Sequence, residues 1–364
     1  MAWKTGSQGN DWLVGTNDGD TMKGLGGNDT LKGGGGADWI DGGAGIDSAI
    51  YADSSVGVTI DLWGGRGKGG TAEGDTLINV ENIYGSGYND FLFGNDAANE
   101  LRGLDGNDQL VGHGGNDWLD GGYGDDMMSG GTGADIIDGG AGFDTAYYAA
   151  SSTGVSIALD NGSTGYGGDA DGDWLVNIEG LQGSSHDDAL WGNDVHNEID
   201  GLWGNDELKG GGGDDWLMGN FGNDRLYGGT GDDWIAGGQG EDRIEGGAGA
   251  DDMFGEAGAD RFVWTAVADS GMTAATSDTI FDFNFADGDR IDVSGIDANR
   301  YATGDQAFRF IGTADFTWGR PGEINYVHDD GMTIIQLNTG RFGHVEALIQ
   351  LSGTVTPEAS WFVL

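Results

Sequence analysis

An apolar residue recurs at every ninth position through residues 183–263, where nine units of nine residues follow one another with none inserted or lost. Each unit opens on Gly, carries an acidic or amide residue sixth and an apolar residue eighth, as in GGQGEDRIE. The same period returns as five units in residues 6–50 and as seven in residues 85–147. The eighth residues run Leu13, Met22, Leu31, Ile40 and Ala49, then from Leu92 to Ala146, then from Leu190 to Phe262, and all 21 are apolar. The seventh and ninth places mix Lys, Arg, Glu, Asp, Ser and aromatics. That alternation predicts a three-residue strand with one side buried, repeated along a solenoid.

One buried side chain per nine residues is little recompense for ordering nine backbones. A second source of stability is therefore required, and the sixth position offers it. It holds Asp11, Asp20, Asp29, Asp38 and Asp47 in the first block. The second block has Asp90, Asn99, Asp108, Asp117, Asp126, Asp135 and Asp144. The third has Asp188, Asn197, Asp206, Asp215, Asp224, Asp233, Asp242, Asp251 and Asp260. If alternate units stack about 4.8 Å apart, an Asp from each can share one cation. The remaining oxygens would be backbone carbonyls turned inward by the glycines, an all-oxygen set that suits Ca²⁺. Asn99 and Asn197 are the two amides in this register, in GNDAANELR and GNDVHNEID, which also lack the fourth-position Gly. Their sites are expected to be weak, as a device of the block start. One site per stacked pair predicts about 15 Ca²⁺.

Between the blocks lie two similar inserts, residues 51–84 and 148–182, containing YADSSVGVTIDL and YAASSTGVSIAL. Val58, Ile60 and Leu62 alternate as a strand, as do Val155, Ile157 and Leu159, each followed by a Gly-rich loop, at 64–70 and 162–168. Each insert is expected to form two longer coils, with Asp75, Glu81, Asp173 and Glu179 as further candidate ligands beside a plain solvation role. The expected segments are thus 1–50, 51–84, 85–147, 148–182, 183–263 and a tail, 264–364, where the period disappears.

Composition agrees with a cation-dependent fold. Lys+Arg number 15 against 62 Asp+Glu, a formal charge of −47 that opposes compaction until cations bind. Nucleic acid and anionic membrane surfaces are poor partners for it, and no run is apolar enough for a transmembrane segment. With no Cys there is neither a disulfide scaffold nor a thiolate metal site. The opening MAWKTGSQGNDW lacks the apolar core of an ordinary secretory signal.

The consensus GGxGxDxUx resembles the nonapeptide of the repeats-in-toxin (RTX) family. The resemblance implies a parallel β-roll, in which six residues of each unit form a Ca²⁺-binding turn and three a strand. After the blocks, DTIFDFNFADGDRIDVSGID and the stretch at 307–337 look like the C-terminal domain of serralysin-type secreted proteases, which implies a β-rich cap carrying a type I secretion signal. PEASWFVL is similar to that family's closing acidic residue and hydrophobic triplet, with Ser360 where Asp is usual; LNTGRFGHVEALIQL stands where the family often has a Ca²⁺ loop. The serralysin zinc motif HExxH is absent, as are GxSxG, a P-loop and a Cys nucleophile.

The expected protein is secreted to the extracellular space by an uncleaved C-terminal signal. It partners the type I machinery, is folded by external Ca²⁺ and has a non-catalytic structural or adhesive role. Two other readings stand beside it. One is a carbohydrate-binding module similar to those of alginate epimerases, binding polysaccharide or a cell surface through Trp216 and Trp234. The other is an accessory or remnant of a serralysin-type metalloprotease. Trp12, Trp39, Trp118, Trp216 and Trp234 all occupy the outward seventh place, where packing against inserts or tail is the competing account.

Overall fold

Each residue of a repeat strand faces the residue two units away: Trp118 pairs with Glu100 and Ile136, and Trp216 with Glu198 and Trp234, all in parallel register. Consecutive units therefore alternate between two sheets. The computed structural model describes residues 1–160 and 163–364, so residue 162 of the second Gly-rich loop lies outside the described residues. Among these residues it is all-β with four short 3₁₀ turns and no α-helix, and they fall into two units, 1–182 and 183–364.

Within residues 1–182, one sheet runs without a break through Trp12–Val14, Thr30–Lys32, Ser48–Ile50, Asn82–Tyr84, Glu100–Asp105, Trp118–Tyr123, Ile136–Ala141 and Trp174–Val176. The inserts thus supply strands that keep this sheet continuous. The expected strand at Val58–Leu62 forms as Thr59–Asp61, but it lies antiparallel to Arg66–Lys68, which in turn bridges antiparallel to Thr76. The first insert is therefore a parallel coil interrupted by an antiparallel step, because its Gly-rich loop is long enough to reverse the chain. Gly65, with φ of 61°, lies in the turn from Asp61 to Arg66, and Gly69 and Gly70, with φ of 83° and 50°, lie in the return toward Thr76.

Within residues 183–364 the ladder does not stop where the period does. Asp252–Ala257 pairs in parallel with Asp278–Ile280, and Arg261–Val263 with Arg290–Asp292. Two further coils thus extend the roll beyond the last nonapeptide, their loops too long for a nine-residue period to register. Asp278–Ile280 then pairs with Ala347–Ser352, which runs antiparallel to Met332–Asn338, completing a β-rich cap.

In each unit the core of the roll is built from eighth-position side chains, one column from each of its two sheets, as in Leu101–Leu119–Ile137 and Leu110–Met128–Ala146. All are fully buried from Met22 to Phe262; Leu13, in the first unit, is half-buried. One inward side chain per repeat offers little apolar burial per coil, which leaves the turns to hold the roll.

Candidate metal centres

The sixth-position side chains are not a solvated acidic face. Except for half-buried Asp11, every one is at most 4% exposed. One carboxylate oxygen has a fixed use: Oδ1 accepts the backbone N–H of the sixth residue two units earlier, as from Asp90 to Asp108 at 2.7 Å and from Asp224 to Asp242 at 2.8 Å. The same bond recurs at both Asn positions, with Asn99 donating to Asp117 and Asn197 to Asp215.

The second side-chain oxygen sorts the units into three kinds. In the first two units of each block it is satisfied locally. Thr16 donates its N–H and hydroxyl to Asp20 Oδ2 at 2.6 and 2.9 Å, and Ser184 donates its N–H to Asp188 Oδ2 at 2.6 Å. Ser7 serves Asp11 and Ser86 serves Asp90 in the same way. At the amides the single side-chain oxygen takes this bond as well: Asn95 donates to Asn99 Oδ1 and Asn193 to Asn197 Oδ1. The Asn99 amide also donates to the Glu81 carbonyl at 2.7 Å, which a carboxylate could not do. The amides therefore sit in units whose turns are closed by protein alone.

From the third unit of each block onward the arrangement changes. The Oδ2 atoms of Asp29, Asp38 and Asp47, of Asp108 through Asp144, and of Asp206 through Asp260 are buried with no hydrogen-bond partner, fifteen in all among the described residues. In these same units the second residue takes positive φ, including at Leu25 (82°), Leu104 (86°), His113 (76°) and Leu202 (69°); Ser, Thr and Asn of the opening units do not. The turned peptide no longer gives its N–H to Oδ2. A non-glycine residue in this region costs on the order of 1 kcal/mol, and burying a carboxylate oxygen without a donor costs more. Both penalties point to an absent positive charge.

The surroundings fit a hard cation. A Cβ built on Gly24 would run into both Asp29 Oδ2 and the Gly42 carbonyl oxygen, and one on Gly103 into Asp108 Oδ2 and the Gly121 oxygen. Only glycine leaves this oxygen-lined space open. No three or more His, Cys, Asp or Glu side chains come together closely enough to hold a metal ion by themselves among the described residues. A bound ion therefore draws most of its oxygens from the backbone, as Ca²⁺ accepts and softer metals do not.

Each row ends on a carboxylate from outside the repeats. Asp75 Oδ1 takes the Asp38 N–H and Asp173 Oδ1 that of Asp135, while Glu81 and Glu179 serve Asp47 and Asp144. In the second unit Asp278 and Asp289 serve Asp251 and Asp260. The first four lie among the candidate ligands of the inserts; the last two were missed. Their signal is the triplet Asp-x-apolar, in Asp278-Thr279-Ile280 and Asp289-Arg290-Ile291, which keeps positions six to eight of the repeat. At four of these ends Oδ2 meets a protein donor: Tyr51 hydroxyl for Asp75 (3.1 Å), Tyr148 hydroxyl for Asp173 (3.0 Å), Trp264 Nε1 for Asp278 (2.6 Å) and Asn284 N–H for Asp289 (2.7 Å). Asp75 and Asp173 thus finish the row with a hydroxyl where the repeats leave an oxygen open. Tyr148→Phe would orphan Asp173 Oδ2 and should cost about 1–3 kcal/mol, read as a lowered urea midpoint in saturating calcium.

Burial, with neighbouring carboxylates adding to it, pushes Asp108, Asp206 and Asp251 up to about 8 and Asp117, Asp126 and Asp242 up to about 7. A carboxyl whose folded pKa exceeds its unfolded one stabilises the fold below the unfolded value and loses that contribution as pH rises through the folded value. Calcium-free chain should therefore hold more β structure near pH 4 than at pH 8, with the loss spread over about pH 6–8. Far-ultraviolet circular dichroism in chelator across that range checks it; a rise in β content toward pH 8 would contradict it.

The seventh-position tryptophans differ among themselves. Trp39 and Trp118 lie under Lys23 and Arg102. Trp216, half-exposed, neighbours Trp234 at 6.3 Å between ring centres, and Trp234 neighbours Phe254, which stacks on Phe281 at 4.8 Å. Trp12 is 65% exposed.

A family model described as the RTX calcium-binding nonapeptide repeat matches residues 5–30, 14–49, 84–119, 111–146, 200–235 and 227–262. No curated protein matches the chain. Among solved structures, the AlgE6R2 subunit of the Azotobacter vinelandii mannuronan C5-epimerase is 23% identical over 47% of this chain and 89% of that one, with a TM-score of 0.23. The AlgE6R3 subunit of that enzyme is 26% identical over 47% and 78%, with a TM-score of 0.22. Extracellular lipase LipA from Serratia marcescens is 19% identical over 76% of this chain and 40% of that one, with a TM-score of 0.21.

Proposed function

We propose that this chain, an RTX calcium-binding repeat protein, is a secreted, non-catalytic β-roll that leaves the cell unfolded through a type I system, folds on meeting external calcium and serves there as a structural or adhesive element. The observation that carries this reading is the set of fifteen donorless Asp oxygens, each in a turn whose second residue has positive φ. The ligands are Asp29, Asp38, Asp47, Asp108 through Asp144 and Asp206 through Asp260 with their stacked partners, about 15 ions at full occupancy.

Such sites act as a sensor of compartment. With dissociation constants on the order of 10⁻⁴ M, millimolar calcium stabilises by about 1.4 kcal/mol per site, and submicromolar calcium by almost nothing. An unfolded chain suits threading through an export channel, and the ion then makes folding follow release. The adhesive role predicts that the full chain self-associates or coats cells in millimolar calcium and not in chelator. Sedimentation velocity and cell-binding assays test it, and a monomer indifferent to cells in both conditions would remove the adhesive part.

A further inference from the structure

Where the first insert meets the roll, three aromatic rings and one carboxylate gather on the outer face of a sheet. Asp61 ends the strand Thr59–Asp61 and Phe93 ends its parallel neighbour Phe91–Phe93, the two being register partners. Trp63 follows two residues after Asp61, and His113 comes from the next strand of that sheet, Gln109–Gly114. The rings of Trp63 and His113 stand edge to face at 5.5 Å between centres, and Phe93 lies 6.5 Å from His113. With Thr59 these side chains line an open pocket of ≈ 390 Å³, a size that suits a small molecule, and Asp61 is its one carboxylate.

The fold does not require this grouping. The second insert repeats the antiparallel step, with Ser156 opposite Tyr166 as Thr59 is opposite Lys68. Yet Ala158 and Asp160 stand there in place of Asp61 and Trp63, and the repeat position of His113 is taken by Gly211 in the third block. His113 is also a strained choice. It holds a φ of 76° at the second place of its unit, where Gly122, Gly131 and Gly140 of the following units take positive φ freely. Trp63 is 64% exposed, an indole left largely in water.

Across the antiparallel step the outer face changes sign. Arg66 is the register partner of Asp61 and Lys68 of Thr59, so both cations stand on the side of Asp61 away from Phe93. Both are exposed, and neither they nor Asp61 form an ion pair among the described residues. Asp61 Oδ1 accepts the Gly64 N–H at 2.8 Å. We propose that this corner binds the phosphocholine group. The quaternary ammonium sits among the three rings, whose faces attract an alkylated cation, with the Asp61 carboxylate beside it, and the phosphate meets Arg66 and Lys68. Directly opposite residues stand about 5 Å apart, which suits two charges joined by a two-carbon link. A hard metal ion takes oxygen ligands and would gain nothing from the rings. A simple anion would face the Asp61 carboxylate in a chain of net charge −47. The site needs only the folded first unit and is independent of the adhesive role.

The test uses the full chain in millimolar calcium, titrated by calorimetry with phosphocholine, choline and inorganic phosphate. Phosphocholine should bind, choline about tenfold more weakly, and phosphate more weakly still. Trp63→Ala should weaken phosphocholine binding by about tenfold or more, and so should Asp61→Asn, which keeps the acceptor for Gly64. Arg66→Gln plus Lys68→Gln should lower phosphocholine to the affinity of choline and leave choline unchanged. His113→Gly should weaken binding while raising the urea midpoint, because it relieves the strained φ; a histidine with a purely structural part would not set the two in opposition. Flotation with phosphatidylcholine vesicles separates the sources of the group. Binding to vesicles assigns a lipid headgroup, binding of soluble phosphocholine without flotation assigns a soluble ester, and both uphold the site. No binding of phosphocholine, phosphate binding as tightly as phosphocholine, or a Trp63→Ala chain that titrates like the parent would each overturn the proposal. Circular dichroism on the same samples checks that every variant keeps the parent fold.

Discussion

In excess chelator at pH 7.5 (above most of the raised carboxyl values) the chain is expected to lose nearly all its β structure, and millimolar calcium should restore it in one cooperative step. The core of the roll holds one inward side chain per repeat, and fifteen buried carboxylate oxygens lack a donor among the described residues. Without the ion these oxygens either ionise in a dry site or take up a proton, and neither state is favourable near neutrality. At about 1.4 kcal/mol per site in millimolar calcium, a handful of sites equals much of the 5–15 kcal/mol on which a typical domain stands. Circular dichroism with a calcium titration measures the change directly. An unchanged spectrum in chelator would refute the metal assignment.

The second large effect concerns where the ladder is cut. Asp224→Ala plus Asp242→Ala removes both oxygens at two successive steps of one row, and so touches the stacked pairs 206/224, 224/242 and 242/260. Asp20→Ala plus Asp38→Ala touches one repeat pair, 20/38, and the closing contact with Asp75. On the per-site figure, the first variant should lose about 4 kcal/mol against about 1.4 for the second. It should also slow calcium-induced folding more, if the third block is the nucleus on which the shorter ones form. Stopped-flow fluorescence of the two variants at equal calcium decides the point; equal folding rates would remove the nucleus.

Much of this was legible in the residues. The period of nine fixes the strand, the apolar eighth place fixes the buried columns from Met22 to Phe262, and the sixth place marks the row that the structure buries. What periodicity could not show were the ends of the rows. Ser7, Thr16, Ser86, Asn95, Ser184 and Asn193 occupy the second place of the opening units, and a hydroxyl or amide side chain there signals a turn closed by its own N–H. That signal is local and easily lost beside a strong global period. Asp278 and Asp289 escaped because loop length broke the count while the contact survived: parallel pairing needs a returning strand, not a return after a set number of residues. The antiparallel step at Arg66–Lys68 is a tertiary choice of a glycine-rich loop, on which strand propensity is silent.

The bond from each sixth-position N–H to the carboxylate two units on also sets how this protein can change in length. Removing eighteen residues from a block lets every later strand return to its own sheet and every Asp to its own row. Removing nine exchanges the sheets: the strand face of Arg225, Arg243 and Arg261 and the Trp216–Trp234 face would trade sides, and each closing carboxylate would meet the wrong row. Growth and shortening of this chain are therefore quantised in pairs of repeats, and its two faces keep their separate chemistry only because the step is even.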